Sequence, residues 1–362
     1  MSGGAELKAQ VLDSAVCSLC GACLDWCPYL KIMEDHLVVP FDCQKEEGRC
    51  CKVCPRTCTD WKEVRSKFTE GEDSPELGTY MSLYRVKAVT PVNGQQDGGT
   101  VTTLLQTALE NGVAQAALIT GNTNEIIPQP LIGGLEEIKQ SAGSRFLASP
   151  GMRRIMEARK KNLESLVVVG RPCQIQAVRK MQTNLPEEVP EILTIGLFCM
   201  WSLSWDFKNF LQKEFPGKEI KGISIPRHAV QVHTDSGTYE LPTSTVKNYV
   251  SPGCSYCLDM TSELADLSVG AFEAESGWNT LIVRSQAGQK LLDQARQKGA
   301  LLIEPYPESE LSGLETASFN KKARNLSHIQ QGVQEGKIAA FIDTSQPEYQ
   351  ALRAKNERRV NQ

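Results

Sequence analysis

Nine of the chain's 13 cysteines lie between Cys17 and Cys58, and their spacing is the first chemical signal. Cys17-x2-Cys20-x2-Cys23-x3-Cys27-Pro28 has the spacing of one half of a bacterial-type two-cluster ferredoxin. Two-residue gaps let three thiolates wrap one iron–sulfur cube, and the fourth, turned away before Pro28, reaches a second cube. No histidine interrupts the run, which disfavours a zinc site. The second half is irregular: Cys43, Cys50, Cys51, Cys54-Pro55 and Cys58. Cys50-x3-Cys54-Pro55 repeats the end of a half-motif, but its middle ligand would fall on Glu47. The expectation is that Cys17, Cys20, Cys23 and Cys54 hold one 4Fe-4S cluster. Cys27, Cys43, Cys50 and either Cys51 or Cys58 would hold another. A register of Cys51-x2-Cys54-x3-Cys58 and a single cluster with structural thiols both stay open.

The other four cysteines are Cys173, Cys199, Cys254 and Cys257. Cys173 follows a buried-strand run, Leu166–Val169, through Gly170-Arg171-Pro172. Cys199 closes a second such run, Ile192–Phe198. In open α/β sheets, ligands collect at the carboxyl ends of strands. Cys254-x2-Cys257 adds two thiols from a loop, so the count suits a third 4Fe-4S cluster. Taken singly, each would read as a small buried hydrophobe. Gly98-Gly99-Thr100 opens a helix, where free backbone N–H groups can take a phosphate, although the full dinucleotide fingerprint is absent. His36, His228, His233 and His328 are scattered and read as surface or core histidines, not catalytic bases. Asp259 and Asp266 read either as orienting the cysteine loops or as simple caps.

These residues need elements to position them. The 362-residue chain has a net charge of −4 and is 41% hydrophobic. That excludes a disordered or fibrous chain and gives no electrostatic footprint for nucleic acid. No apolar run approaches the roughly 18 residues of a membrane span. Met1–Gln10 lacks the apolar core of a signal peptide. The expected location is cytoplasmic, at most peripheral to a membrane complex. The fold class expected is α/β, with a ferredoxin-like dicluster module over 1–68 and an acidic linker over 69–80. A larger domain of alternating strands and helices follows over 81–345, then a solvated polar tail over 346–362. Expected helices are Val101–Asn111, Leu131–Ser141, Gln174–Gln182 and Ala287–Lys298. Expected strands include Ala116–Thr120, Leu267–Val269 and Thr280–Arg284, with a hairpin of His228–Thr234 and Thr238–Leu241.

Several runs together resemble the coenzyme F420 hydrogenase/dehydrogenase beta-subunit family. They are Gly98-Gly99-Thr100-Val101-Thr102, Ala142-Gly143-Ser144-Arg145-Phe146, Gly170-Arg171-Pro172-Cys173-Gln174-Ile175 and Gly196-Leu197-Phe198-Cys199. Cys254-x2-Cys257-x-Asp259, Ala265-Asp266-Leu267-Ser268-Val269-Gly270, Gly277-Trp278 and Ile282-Val283-Arg284 follow in order. The family includes F420H2-oxidising subunits, part of F420-dependent sulfite reductase and hydroxymethyl chlorophyll a reductase. The resemblance implies an iron–sulfur flavoprotein oxidoreductase. FAD would sit by Gly98, Gly99, Thr100 and Thr102, with Ser144, Arg145, Arg171, Pro172, Gln174 and Trp278 nearby. A cluster on Cys173, Cys199, Cys254 and Cys257 would lie beside it. Hydride would pass between FAD and coenzyme F420, and single electrons between FAD and the clusters.

The chain departs from the family where Gly-Ser-Lys-Tyr is usual, since Arg145 and Phe146 stand at the last two positions. That bears on the hydride partner, for which a nicotinamide, a ferredoxin or another protein is the alternative. Expected partners are other redox subunits: a hydrogenase, a formate dehydrogenase, a heterodisulfide-reductase-like unit or a membrane complex. Competing readings are a pure electron relay without F420 activity and a zinc-structured assembly protein.

Overall fold

The two apolar runs read as buried strands, Ser165–Gly170 and Glu191–Leu197, pair in parallel at the centre of an eight-stranded mixed sheet in a computed structural model. It describes residues 3–40, 43–92, 94–95, 98–121, 126–226, 229–272 and 275–360. Across the sheet the strands run 301–305, 82–88, 279–283, 267–270, 191–197, 165–170, 116–121 and 129–133. The four from 267–270 to 116–121 are mutually parallel, and both flanks are antiparallel. Strands buried on both faces need apolar residues throughout. Accordingly Leu166 and Val168 face one hydrophobic cluster and Val167 the other.

The first cluster is continuous with the cysteine-rich segment. It joins Leu7, Val11, Leu19 and Leu24 to Met152, Ala177 and Met181, and to Phe319 and Leu326 of the helix Glu308–Gln334. The thiol-bearing segment and the sheet therefore share one core. The second face is closed by the helices Thr100–Glu110 and Gln286–Gln297, through Leu104, Leu105, Ala108, Leu291 and Leu292. A separate three-stranded sheet carries the hairpin Ala229–Thr234 with Gly237–Pro242. His228, at the start of that expected hairpin, lies outside the described residues. Among the described residues no helix is long and apolar enough to cross a membrane.

Three local expectations are corrected. Leu131–Ser141 is not one helix: Gln129–Gly133 is an edge strand, and the helix Leu135–Gln140 starts only after Gly134. Residues 69–80 do not form a free linker. Glu72–Ser74 pairs with Gly78–Tyr80, Leu77 is fully buried, and the Glu70 N–H donates to Arg284 O at 2.8 Å. The tail is largely exposed, as expected, but it is not a free end: it forms the helix Pro347–Val360, docked through a buried residue. Leu352 is buried in the first cluster, Lys355 pairs with Glu76, and Arg65 meets Glu348 at 3.1 Å. Glu348 and Lys355 find partners that a linear sequence does not reveal.

One buried ion pair locks the strand 191–197 to the strand 267–270. Arg179 Nη2 lies 2.9 Å from Asp266 Oδ2, with both side chains almost fully buried. The same carboxylate oxygen accepts from Thr194 N and Thr194 Oγ1 at 2.7 and 2.8 Å, and Oδ1 accepts from Ser285 Oγ at 2.6 Å. Removing one member of a buried pair strands the other charge. We predict that Asp266→Ala lowers unfolding free energy by about 3–5 kcal/mol in denaturant titration. The exposed Asp293→Ala should change it by less than about 0.5 kcal/mol. A loss at Asp266 under about 1 kcal/mol would contradict this role.

Candidate functional site

Parallel strands deliver their carboxyl ends to one edge of the sheet. At that edge the strand ending at Gly170 runs into Arg171 and then the helix Pro172–Asn184, which puts Cys173 in the first helical turn. The neighbouring strand ends at Leu197, and the Cys199 N–H donates to Met260 O at 2.8 Å. Cys254 and Cys257 come from the turn Pro252–Tyr256 and the residue after it. Asn325 Nδ2 donates to Cys254 O and Cys257 O at 2.9 and 2.8 Å. One helical turn earlier, Lys321 Nζ donates to Cys199 O and Asp259 O at 2.6 and 2.8 Å. Asp259 in turn accepts from the N–H groups of Ser262 and Glu263 at 2.7 and 2.9 Å, which fixes the loop after Cys257. Cys173, Cys199, Cys254 and Cys257 thus line one cavity, with Arg56, Arg171 and Lys321 in its wall.

A second cavity is lined by Cys17, Cys20, Cys23 and Cys54, with Arg56 again in the wall and Leu7, Val11 and Leu37 as its apolar side. Of the remaining thiols, Cys50 and Cys51 are adjacent in the short helix Arg49–Val53 and hydrogen-bond each other. Cys51 Sγ also donates to Gly3 O at 3.1 Å. Cys43 sits against Gly4, so three thiols meet at the first residues of the chain. Cys27 is half-buried against the same core, and Cys58 is exposed. Among the described residues no three Cys, His, Asp or Glu side chains close on a single ion; the thiols stand around cavities instead.

The electrostatics of both cavities are uneven. Burial pushes the Cys17 and Cys199 thiols from about 9 up to about 12. It raises Cys20, Cys23 and Cys254 as well. Cys257 is equally buried, yet Lys321 and Arg56 outweigh that burial and lower its pKa. Arg56, Lys180 and Lys321 are 4%, 3% and 1% exposed. Lys180 Nζ donates to Cys54 O, Thr57 Oγ1 and Thr59 Oγ1 at 2.8, 2.8 and 2.7 Å. Among the described residues, no carboxylate forms an ion pair with Arg56, Arg171, Lys180 or Lys321. Of the other buried cations, Arg179 pairs with Asp266 and Lys322 with Glu263, whereas Arg284 is held by Ser268 Oγ, Thr79 O and Thr261 Oγ1. Sequence reasoning missed Arg56, Lys180, Lys321 and Asn325. The available signals were Arg56 just after Cys54-Pro55, and Lys321 and Asn325 four residues apart on one helix.

The residues expected around a flavin fall into two groups. Gly98 and Gly99 have φ of +74° and +65°, which glycine adopts freely. Gly98 O accepts from Ala88 N at 2.6 Å, which ties the turn to the strand 82–88. The helix Thr100–Glu110 has no side-chain cap at its start, so its leading N–H groups are available. Thr100 and Trp278 are 1% and 4% exposed, and neither Thr100 Oγ1 nor Trp278 Nε1 has a hydrogen-bond partner among the described residues. The Trp278 ring faces Arg85 and Lys87, at 4.5 and 4.3 Å from its centroid. Thr102 is buried in the first turn of the same helix.

In the second group, the Ser144–Arg145 loop bends back on itself, with Arg145 Nη1 donating to Ser144 O at 3.0 Å. Burial lowers the Arg145 pKa. Phe146 packs with Trp201 and Trp205 around Leu147 and Leu203. Arg171 caps its helix by donating its N–H to Gln174 Oε1 at 2.9 Å, and Pro172 takes the first helical position. Gln174 Nε2 and Arg171 Nη2 both point to Ser149 O, at 3.0 and 3.4 Å. The Gln174 amide is therefore committed to protein partners. Among the histidines, His36 and His233 lie in surface hairpins, paired with Asp35 and with Ser224 and Thr238.

Comparison with known proteins gives the same region a lineage. Residues 83–155 match the family model described as coenzyme F420 hydrogenase/dehydrogenase, beta subunit N-term, and residues 163–309 match its C-terminal counterpart. The chain is 29% identical over 337 residues to a subunit of the F(420)H(2) dehydrogenase of Methanosarcina mazei, covering 89% of this chain and 94% of that protein. It is 31% identical over 268 residues to the beta subunit of coenzyme F420 hydrogenase of Methanothermobacter thermautotrophicus, covering 70% of this chain and 95% of that subunit. It is 27% identical to coenzyme F420-dependent sulfite reductase of Methanocaldococcus jannaschii, of which it spans about half, 51%. Among solved structures, a chain of the F420-reducing [NiFe] hydrogenase complex from Methanosarcina barkeri superposes with a TM-score of 0.67 at 28% identity. That match covers 72% of this chain and 95% of the other. With its motifs at the carboxyl edge of the sheet and both family segments matched in order, the chain belongs to the coenzyme F420 hydrogenase/dehydrogenase beta-subunit family.

Proposed function

We propose that this protein is the iron–sulfur flavoprotein subunit of a redox complex, exchanging electrons between coenzyme F420 and one-electron carriers. One observation carries the reading: two cavities are each lined by four thiols and walled by buried cations that lack carboxylate partners. A buried cation needs an anion, and the groups facing these are mainly thiols, with the Asp259 carboxylate also acting on Lys321. Four thiolates around an iron–sulfur cube supply that charge. Bound FAD exchanges hydride and 4Fe-4S clusters exchange single electrons, so a chain holding both interconverts two-electron and one-electron carriers. The relatives' names carry F420, which supports F420 as the hydride carrier in this reading.

The chain's residues have distinct tasks in this reading. Cys17, Cys20, Cys23 and Cys54 hold one cluster, and Cys173, Cys199, Cys254 and Cys257 hold another. Cys27, Cys43, Cys50 and Cys51 hold the third, with Cys58 spare. The left-handed Gly98-Gly99 turn and the uncapped helix start take flavin phosphates. The unpartnered Thr100 hydroxyl and Trp278 N–H supply donors. Arg171, between a strand end and Cys173, offsets anionic charge. Asn325 and Lys321 hold the cysteine loops from the long helix. The partner is a second redox subunit, docking near the segment 17–58. A relay without F420 activity is the second reading, favoured by Arg145 and Phe146.

Three outcomes follow. Anaerobic purification should give a yellow-brown protein with FAD, acid-labile sulfide and about 12 iron atoms per chain. It should reduce a viologen dye faster with F420H2 than with NADH or NADPH; turnover with nicotinamide alone would favour the second reading, and a colourless zinc protein would end both. Cys254→Ala should lower iron by about four atoms and leave the rest; unchanged iron would contradict the ligand set. In the apo chain at pH 8, Cys17 and Cys199 should resist alkylation, because thiols raised to about 12 carry almost no thiolate there. Exposed Cys58 should label first, and mass spectrometry showing equal labelling would contradict the burial.

A further inference from the structure

Arg56 stands in the wall of both thiol cavities. Its guanidinium faces Cys257 and Cys173 on one side and Cys54 on the other. Its own N–H donates to Cys54 Sγ at 3.4 Å, and Nη2 donates to Gly253 O at 3.4 Å. The Phe341 ring, 5.4 Å from Arg56 Cζ, closes over it. Nε is buried without a hydrogen-bond partner among the described residues. A structural arginine of this burial would be expected to resemble Arg179, whose Nε, Nη1 and Nη2 all have partners. Arg56 keeps an unspent donor and an unpaired charge at the boundary between the cavities. That boundary is thin: a Cβ on Gly253 would lie 2.2 Å from Cys17 O, so the loop of one cysteine set touches the backbone of the other.

We propose that Arg56 is a positioning residue whose single fixed charge raises and matches the reduction potentials of the two clusters on either side of it. The proposal rests on the iron–sulfur reading above. A cube's potential depends on net charge and on hydrogen bonds to its sulfurs, and a nearby cation in a dry wall stabilises the more negative, reduced state. Each transfer moves one electron from one cube to the other. No bond forms or breaks, and the guanidinium keeps its proton. Lys180 contacts only the Cys54 side and Lys321 only the Cys199 and Cys257 side. Arg171 faces Cys173, Cys199 and Cys254 and reaches Cys20, but Arg56 alone of the four lines both cavities.

The test is an EPR-monitored redox titration of the anaerobically isolated full chain as wild type, Arg56→Gln, Arg56→Lys and Lys321→Gln. In Arg56→Gln the midpoint potentials of both clusters should shift negative with iron content unchanged, and Arg56→Lys should restore both. Lys321→Gln should shift only the signal that Cys254→Ala removes. If Arg56→Gln loses iron from both sites, Arg56 is needed to retain the clusters and the proposal that it sets their potentials is overturned. Unchanged potentials in Arg56→Gln, a shift in one cluster alone, or a defect that Arg56→Lys does not relieve overturns it. A wild-type chain without iron and labile sulfide refutes the iron–sulfur reading itself, before any variant is compared.

Discussion

A buried cation without an anion costs several kcal/mol, and this protein buries three and half-buries a fourth against two rings of thiols. Arg56, Arg171, Lys180 and Lys321 come from three separate segments, Arg171 capping the helix Pro172–Asn184 that carries Lys180, and their common feature is the sulfur they face. Burial alone would keep most of these thiols protonated, since it drives Cys17 and Cys199 to about 12. The cations and the thiols are complementary if the proposed iron–sulfur cubes keep the sulfurs anionic. The rest of the architecture serves that pairing: the Arg179–Asp266 lock, the Asp259 turn and the Asn325 clamp hold backbone around the thiols.

The sheet explains why cysteines far apart in sequence share a cavity. Parallel pairing brings the ends at Gly170 and Leu197 side by side. The antiparallel strand Asn279–Val283 starts at the same edge, because Gly270 pairs with Thr280. The strand Ser82–Ala88 ends there too, since Val86 pairs with Asn279. Cys173, Cys199, Trp278 and the Gly98-Gly99 turn thus gather at one edge, with two-electron and one-electron chemistry proposed within reach of each other.

Much of this was legible in the sequence where the signal was local. Cysteine spacing points to Cys17, Cys20, Cys23 and Cys54, and the ends of two apolar runs point to Cys173 and Cys199 beside Cys254-x2-Cys257; these thiols line the two cavities. The all-apolar run Leu166–Val169 marks a strand buried on both faces. Signals that depend on distant partners were not legible. The helix Glu308–Gln334 went unread because its buried side carries Ser318, Lys321, Lys322 and Asn325, which destroy the apolar stripe. The docking of the helix 347–360 was not legible because Lys355 finds Glu76 only in the fold. The hairpin at 72–80 read as a linker because its acidic residues hide the fully buried Leu77. Gln174 stood in a motif shared with the family, and its amide turns out to cap a helix and hold Ser149.

The most direct test of the paired thiols and cations is anomalous diffraction at the iron edge from crystals grown without oxygen. The account predicts strong iron peaks inside the ring of Cys17, Cys20, Cys23 and Cys54 and inside the ring of Cys173, Cys199, Cys254 and Cys257. Peaks at the zinc edge instead, or thiols with no anomalous scatterer between them, would contradict it.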